Sequence, residues 1–359
     1  MMSSVFSIWD ASRPDEREAW LHFWALWPER EIFAHPSWVQ LNAGPEDRAL
    51  CIAGTQNGSY VLYPFLLRPL CRLQYSDPCW HDFFDIATPY GYGGPFRWGA
   101  PWPSSAATAF WATLEQWAAR SRVVSEVIRF SLFPESMVEY NGQQRSLRDN
   151  IVRVLGTDDE LWHDCEHKVR KNVARARASG VRVWMDDCGS HLDEFLSLYF
   201  ATMDRRHASA SYYFPRNYFD SMHANLHGHF MYFHASVGDV VVSTELVLVS
   251  ATRIYSFLGG TNPLWYHVRP NDLLKMEIMR WGRSAGKAAF VLGGGATRED
   301  GIYRYKLSFA PRGRVPFLLG THVFDTEAYQ QLTESRRNHA AASGVLWQPS
   351  PDYFPAYRS

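Results

Sequence analysis

Residues 230–259 read FMYFHASVGDVVVSTELVLVSATRIYSFLG, and no other stretch says as much about the fold. Three runs rich in β-branched and aromatic residues, 230–237, 240–249 and 254–259, are separated by short turns, which is the pattern of neighbouring strands. The first turn, Ser236-Val-Gly-Asp239, is short enough to join two antiparallel strands. The stretch therefore predicts an antiparallel meander of three strands.

The segments around the meander predict an α/β lobe. A strand at 181–185 and two helices at 191–207 and 215–226 precede it, judged from the period of their apolar residues. The elements predicted after the meander are a helix at 270–285, a strand at 288–292, a strand at 315–324 and a helix at 326–340. A mixed sheet flanked by helices follows from this order.

The first part of the chain predicts a second mixed lobe. Apolar runs at 48–54 and 60–67 enclose Asn57-Gly58, which is typical of a β-hairpin. The other elements predicted there are helices at 15–27, 37–42 and 104–120 and strands at 124–132 and 151–155.

These patterns together predict the fold class α/β (α+β), with two tandem lobes joined by a basic helix. A chain of 359 residues exceeds what one hydrophobic core usually supports. The predicted boundaries are a first lobe at 1–155, a basic connecting helix at 156–180, a second lobe at 181–340 and a tail at 341–359.

Composition limits the classes of function. The net charge is −1, so no global field attracts nucleic acid or an anionic membrane, and an RNA contact requires a local basic patch. The sequence indicates no DNA partner. The five cysteines form no CxxC pair, and neither a signal peptide nor a membrane-spanning apolar stretch is recognisable. The expected location is the cytoplasm; the sequence does not indicate the oligomeric state.

The connecting helix, predicted at 158–178, supplies such a patch. Residues 168–177 contain no acid, and Lys168, Lys171 and Arg175 lie beside an apolar stripe of the helix. Two interpretations stay open. The cations form a solvated face, or they bind a phosphate-rich partner such as an RNA acceptor stem or a nucleotide.

A glycine-rich turn is the second candidate site. The sequence from Val291 to Lys306 runs from a strand through three glycines towards a helix, which would place backbone N–H groups around a cavity. Lys306 lies beyond this turn, where a lysine can stabilise an oxyanion in acyl transfer. The alternative is an ordinary exposed lysine.

Two other matches carry no site. The H-x-x-E-H pattern from His163 to His167 heads a basic helix that would repel a metal, so no metal is predicted. The R-x-x-G-x-A pattern from Arg283 to Ala288 lies at a helix C-terminus, where the helix dipole disfavours an anion, so Gly286 is a helix stop. Because no nucleophile signature occurs, direct transfer in a ternary complex suits this sequence better than a covalent acyl-enzyme.

Four stretches resemble the Fem family of aminoacyl-tRNA-dependent transferases and its GNAT-like relatives. They are Thr88-Pro-Tyr-Gly-Tyr-Gly-Gly-Pro95, the basic stretch 168–180, the helix pair at 199–206 and 213–219, and the turn at 293–311. The resemblance covers residues 33–324. It implies two tandem GNAT-like lobes and amide formation from aminoacyl-tRNA.

The resemblance also implies roles for single residues. Lys306 would stabilise the transition state, and Tyr305 would shape the subsite around it. Tyr303 is a candidate for proton routing, which could equally fall to the substrate. The residues implied to face the acceptor are Tyr90, Tyr92, Arg205 and Arg206. Those implied to face the donor are Lys168, Lys171, Arg175, Gly293, Gly294, Gly295, Arg298 and Arg304.

The sequence departs from the family pattern in places that concern the acceptor. Family members that use nucleotide-linked muropeptides carry a lysine after the tryptophan of the first-lobe helix, and Trp38-Val-Gln-Leu-Asn42 has none. Ala310 replaces a usual glycine, and no charged helical insertion is present. The expected acceptor is the amine of a small peptide, a natural product or a cell-wall precursor.

Aminoacyl-tRNA would be a co-substrate, and no cofactor is expected. The alternatives are an N-acyltransferase that uses acetyl-CoA or a carrier-protein thioester, and a non-catalytic RNA- or peptide-binding module.

Overall fold

The structure, a computed structural model, describes residues 5–102, 104–295, 299–350 and 353–359. The chain forms two compact units. Unit 1 contains the described residues up to Trp27, Phe33–Leu147 and Pro316–Ser359, and unit 2 contains Pro28–Ile32 and Arg148–Val315. The sequence pattern placed residues 316–340 in the second lobe. The structure groups them with unit 1 because the strand of this segment pairs there.

The strands are β1 (Val5–Asp10), β2 (Arg48–Gln56), β3 (Ser59–Pro69), β4 (Phe84–Ala87), β5 (Phe96–Gly99), β6 (Val123–Arg129), β7 (Gln143–Val154), β8 (Val181–Asp186), β9 (Phe230–Val237), β10 (Val240–Val249), β11 (Arg253–Thr261), β12 (Ala289–Gly293) and β13 (Arg314–Val323). The α-helices are α1 (Pro14–Ala25), α2 (Pro36–Leu41), α3 (Ser104–Arg120), α4 (Asp158–His163), α5 (His167–Ala178), α6 (Leu192–Arg205), α7 (Arg216–Asn225), α8 (Pro270–Ser284), α9 (Gly301–Leu307) and α10 (Thr326–Ala342).

The sheet of unit 1 has the strand order β1-β2-β3-β4-β6-β13, and β5 pairs with β3. All of these pairs are antiparallel except β4 with β6. The predicted hairpin of β2 and β3 is confirmed. Asn57 and Gly58 take positive φ values of 51° and 78°, as a tight turn between two twisted strands requires.

The sheet of unit 2 has the strand order β7-β12-β11-β10-β9-β8, so the predicted meander is confirmed. Strands β11 and β12 are parallel, and their pairing covers three residue pairs, ending at Tyr255 and Val291. Strand β11 continues beyond this point to Thr261, whereas β12 ends at Gly293. The two strands therefore part where the chain enters the glycine-rich turn.

Helices cover both faces of this sheet. Phe233 of β9 contacts Trp281 of α8, with ring centres 5.4 Å apart. On the other face, Tyr232 of β9 contacts Phe195 of α6 at 5.0 Å. Helix α5 packs against α8. The fold class predicted from the sequence, a mixed sheet flanked by helices, is confirmed.

The single basic helix predicted at 158–178 is wrong in one respect. The structure contains two helices, α4 and α5, separated at Asp164–Glu166. The Arg170 side chain donates to the carbonyl oxygens of Cys165 and His163, and the Glu166 N–H donates to the Ser308 carbonyl oxygen. These bonds replace the helical ones, so the break costs little. The break also places His163 and His167 on different helices.

Two smaller predictions are confirmed. Gly286 follows the end of α8 with a φ of 72°, which makes it a helix stop. The apolar stripe of the basic segment, which includes Leu161, Val169 and Val173, is buried. Among the described residues, no helix combines the length and the apolarity that crossing a membrane requires.

Candidate active site

Lys306 lies in the last turn of α9, the short helix after the glycine-rich turn. The Asp300 carboxylate begins this helix by accepting a hydrogen bond from the Tyr303 N–H at 2.7 Å. The Lys306 amine donates a hydrogen bond of 2.7 Å to the Gly294 carbonyl oxygen. The helix thus returns the lysine to the turn that precedes it, and the side chain is partly buried.

The environment of Lys306 disfavours its charge. Burial lowers the pKa of the amine, the charge of Lys275 acts in the same direction, and the resulting pKa is about 7. The carboxylates of Glu245 and Asp300 oppose this effect only in part. Near neutral pH the amine is consequently present in both protonation states, and it can donate a hydrogen bond and also exchange a proton.

A buried ion pair next to this lysine was missed by sequence reasoning. The Lys275 amine of α8 lies 2.5 Å from the Glu245 carboxylate of β10 and donates to the Ser256 hydroxyl of β11 at 2.9 Å. Both charged residues are about 95% buried. Glu245 within the apolar run VVVSTELVLV was the available signal, because a charge in a buried strand needs a partner.

A second buried carboxyl group lies on the same helix. Asp272 of α8 accepts a hydrogen bond of 3.1 Å from the Asn172 amide of α5, and burial raises its pKa. Burial raises the pKa of the Tyr305 hydroxyl, and the charges of Asp272 and Glu245 raise it as well. The Tyr305 hydroxyl is buried without a hydrogen-bond partner among the described residues.

Tyr303 faces different neighbours. Its side chain is buried, and the guanidinium carbon of Arg314 lies 5.4 Å from the centre of its ring. Burial raises the pKa of its hydroxyl, which has no partner within the part of the chain that the structure describes. Arg314 pairs with Glu299 at 3.1 Å. Proton routing by Tyr303 stays a prediction.

The glycine-rich turn is held against β7. A Cβ atom on Gly294 would lie 3.0 Å from the Asn150 amide oxygen and 3.2 Å from the Asp149 carbonyl oxygen. The Gly295 carbonyl oxygen accepts a hydrogen bond of 2.8 Å from Arg148. The turn therefore offers carbonyl oxygens to cations, and the N–H cradle expected from the sequence stays a prediction. Gly293 takes a φ of 78°.

Two other residues of this segment complete the candidate donor side of the turn. Arg304 lies on α9 with an exposed side chain. Arg298 lies outside the described residues.

The candidate donor residues of α5, Lys168, Lys171 and Arg175, are exposed. Lys168 pairs with Glu166 at 3.1 Å, and Arg177 pairs with Glu277 at 2.8 Å. Lys171 and Arg175 have no carboxylate partner among the described residues. An exposed cation without a partner keeps its full attraction for phosphate, subject to salt.

The candidate acceptor residues lie in both units. In unit 1, the Tyr90 carbonyl oxygen accepts a hydrogen bond of 3.0 Å from the Trp38 indole, and Tyr92 contacts Phe33 and Phe317, each at 5.5 Å. In unit 2, Arg205 and Arg206 lie exposed at the end of α6. The groups that the structure brings together around Lys306 are those of unit 2.

One group of possible metal ligands occurs among the described residues. Oxygen and sulfur atoms of Asp186, Asp187 and Cys188 lie within 4.8 Å of one another. The Asp186 carboxylate accepts backbone hydrogen bonds from Cys188, Gly189 and His191. These bonds order the β8–α6 loop and account for the cluster without an ion.

Comparison with known proteins shows what this chain resembles. The sequence of residues 163–307 matches a family model described as "Acetyltransferase (GNAT) domain". The structure matches the crystal structure of FemX with a TM-score of 0.67 at 14% sequence identity, over 88% of this chain and 98% of FemX. Residues 163–307 are similar to a GNAT domain, and the chain has a Fem-like fold. A search of curated proteins finds no match.

Two further solved structures share the Fem-like fold. The C-terminal domain of a putative lysylphosphatidylglycerol synthetase from Agrobacterium fabrum matches with a TM-score of 0.54 at 11% identity, over 92% of this chain and 97% of that domain. L-PGS from Bacillus licheniformis matches with a TM-score of 0.52 at 11% identity, over 86% of this chain and 91% of its own. At these identities the matches establish the fold alone.

Proposed function

We propose that this protein is an acyltransferase that forms an amide bond by transferring an aminoacyl group from aminoacyl-tRNA to an amine. The acceptor is a small peptide, a natural product or a cell-wall precursor. The observation that carries the proposal is the placement of Lys306, a partly buried lysine whose amine is held by the Gly294 carbonyl at the end of the parting strands β11 and β12.

The chemistry requires little of the protein. The acceptor amine attacks the ester carbonyl, the C–N bond forms, and the carbonyl oxygen becomes an oxyanion. The C–O bond to the ribose then breaks, and the leaving ribose oxygen takes up the proton lost by the amine and becomes a hydroxyl. Because the ester is already activated, alignment and stabilisation of the oxyanion supply most of the acceleration.

Lys306 can stabilise the oxyanion and can also exchange a proton. Its ammonium form donates a hydrogen bond to the oxyanion in a site where burial strengthens the interaction. Its pKa of about 7 allows it to give up or accept a proton at neutral pH. The partner hydrogen bond to the Gly294 carbonyl orients the amine without neutralising it, because a carbonyl oxygen carries no full charge.

The donor would reach the site along α5. The exposed cations of α5, which are Lys168, Lys171 and Arg175, belong to the same unit as Lys306. The neighbours in fold are compatible with aminoacyl chemistry, since one of them is named a lysylphosphatidylglycerol synthetase.

The second candidate function is N-acyl transfer from acetyl-CoA or a carrier-protein thioester. The description of the matched family model favours it. Against coenzyme A, the R-x-x-G-x-A pattern from Arg283 to Ala288 lies at the C-terminus of α8, where the helix presents carbonyl oxygens instead of the N–H groups that bind a pyrophosphate.

The test offers the purified protein a panel of labelled aminoacyl-tRNAs, with labelled acetyl-CoA in parallel, and a mixture of amine acceptors. We expect label to move from tRNA to an amine, and Lys306→Met to lower kcat about 100-fold or more. The control is Arg337→Ala, which changes an exposed residue of α10. Transfer from acetyl-CoA alone would establish the second candidate, and no transfer from any donor would favour a non-catalytic binding module.

A further inference from the structure

An exposed aromatic turn precedes α8 in unit 2. Residues 263–268, with the sequence Pro-Leu-Trp-Tyr-His-Val, form a 3₁₀ turn after β11. Leu264 is 79% exposed and Tyr266 is 44% exposed. Flat rings presented to solvent on a short turn have no role in a hydrophobic core, so the turn requires another explanation.

The turn is held in place from both ends. The Asn262 side chain accepts a hydrogen bond of 3.0 Å from the Leu264 N–H, and the His267 Nδ1 lies 3.0 Å from the Leu264 carbonyl oxygen. Trp265 packs against the core of unit 2 and lies parallel to His267 at a ring distance of 6.1 Å. The exposed rings are therefore presented on a fixed backbone.

A cation lies beside one of these rings. The guanidinium carbon of Arg205 lies 5.8 Å from the centre of the Tyr266 ring. The segments 205–212 and 262–269 together contain three arginines (Arg205, Arg206 and Arg269), two histidines and no acid. This combination is complementary to a ligand with planar heteroaromatic rings and negative charge.

The aromatic turn is continuous with the basic helix. Residues 263–268 pack against α5, which carries the exposed Lys168, Lys171 and Arg175. A phosphate-binding helix next to stackable rings has the two components of a surface that holds single-stranded nucleic acid.

We infer that residues 263–267 and Arg205, which we call the stacking platform, hold unpaired bases at the single-stranded end of the donor RNA. This inference rests on the proposed function, which supplies an RNA donor. It assigns Arg205 to the donor side, whereas the family resemblance assigned it to the acceptor. An anionic membrane is the less favoured occupant, because Leu264 is the one large aliphatic side chain exposed in the two segments as described.

The test measures RNA binding without requiring transfer. Two fluorescent RNA hairpins are compared by anisotropy: one carries a single-stranded 3′ end of four nucleotides, and the other is blunt. Wild-type protein should bind the tailed hairpin more tightly. Tyr266→Ala should weaken binding of the tailed hairpin about tenfold and change binding of the blunt hairpin less than about twofold, since stacking of a base on an aromatic side chain is worth about this much.

Two further variants separate the possible outcomes. Lys171→Ala should weaken binding of both hairpins equally, because it removes a phosphate contact that ignores the tail. Tyr353→Ala, an exposed tyrosine of unit 1, should change neither. If wild-type protein prefers the tail and Tyr266→Ala keeps that preference, the platform is refuted while the RNA donor survives.

Other results would overturn more. If wild-type protein binds neither hairpin, the RNA donor itself fails, and the platform fails with it.

A separate experiment tests membrane binding with liposomes of phosphatidylglycerol and phosphatidylcholine. If Leu264→Ala and Tyr266→Ala abolish sedimentation with these liposomes and leave RNA binding intact, the turn is a membrane-binding surface and the inference is wrong.

Discussion

The amine of Lys306 lies 2.7 Å from the carbonyl oxygen of Gly294, twelve residues earlier in the chain. This hydrogen bond connects the last turn of α9 to the turn that follows β12. The acceptor of this hydrogen bond is a backbone atom. Residue 294 therefore contributes to the position of the amine through its backbone and through its lack of a side chain.

The first prediction concerns Gly294. A Cβ atom there would lie within 3.2 Å of the Asp149 carbonyl oxygen, a backbone atom that cannot turn aside. We expect Gly294→Ala to displace the turn from β7, move the acceptor of the Lys306 hydrogen bond and lower kcat about tenfold. Steady-state transfer assays measure kcat, and urea unfolding of the same variant measures its stability. The matched control is Gly301→Ala, since nothing lies within 4 Å of a Cβ at that position.

The second prediction concerns stability and the charge of Lys306. Its pKa falls from 10.5 when the chain is unfolded to about 7 when folded, so between these values the unfolded chain binds the additional proton. The lysine therefore destabilises the fold below pH 7, and this penalty fades as the pH rises from 7 to 10.5. Relative to wild type, Lys306→Met should raise the free energy of unfolding more at pH 6 than at pH 10. An equal effect at both values would contradict the lowered pKa.

The third prediction concerns the buried ion pair. Lys275→Met leaves the Glu245 carboxylate buried without its cation, and we expect a loss of about 3–5 kcal/mol in the free energy of unfolding. The double variant Lys275→Met with Glu245→Leu should recover most of this loss. Urea denaturation of the three proteins measures the difference. If the single variant is as stable as wild type, the pair is not held in the buried geometry described above.

A related effect links this pair to the active site. The charge of Lys275 lowers the pKa of Lys306, and the charge of Glu245 raises it. Lys275→Met should therefore raise the pKa of Lys306, and the pH profile of kcat should move to higher pH. The free energy of unfolding combines this shift with the loss of the ion pair, whereas the pH profile of kcat reports the shift of Lys306 by itself.

The fourth prediction concerns a buried carboxyl group in unit 1. Glu126 of β6 accepts hydrogen bonds from the Tyr63 and Tyr140 hydroxyls at 2.7 and 3.0 Å, and burial raises its pKa from 4.5 to about 7. The folded chain keeps this proton to a higher pH than the unfolded chain does. The free energy of unfolding should therefore fall as the pH rises from 4.5 to 7, by about 3 kcal/mol at most. Glu126→Gln should remove this dependence, which calorimetry at pH 5 and pH 8 can measure.

Local patterns in the sequence were sufficient for most elements. The meander follows from runs of β-branched residues and short turns, and the β2–β3 hairpin follows from Asn57-Gly58. Gly286 ends α8 because its positive φ suits glycine. Each of these depends on residues close together in the chain, which is why the pattern contains the information.

The break between α4 and α5 depends on distant residues. Periodicity favoured one helix at 158–178, and the contact of Glu166 with Ser308 interrupts it. The strand at β13 was recognised, but its pairing with β6 in unit 1 was not, because the apolar pattern of a strand is the same whichever neighbour it pairs with.

The candidate site also has features that the sequence predicts and features that only the folded chain shows. The sequence alone identified the glycine-rich turn, the basic segment and Lys306 as the residues to examine, because each stands out by type and spacing. Only the folded chain brings Lys275, Glu245 and the Gly294 carbonyl to Lys306 and thereby lowers its pKa. Burial and charge at a point in space are sums over many groups, and one of those that act on Lys306, Arg148, lies 158 residues away in the chain. No local pattern contains such a sum.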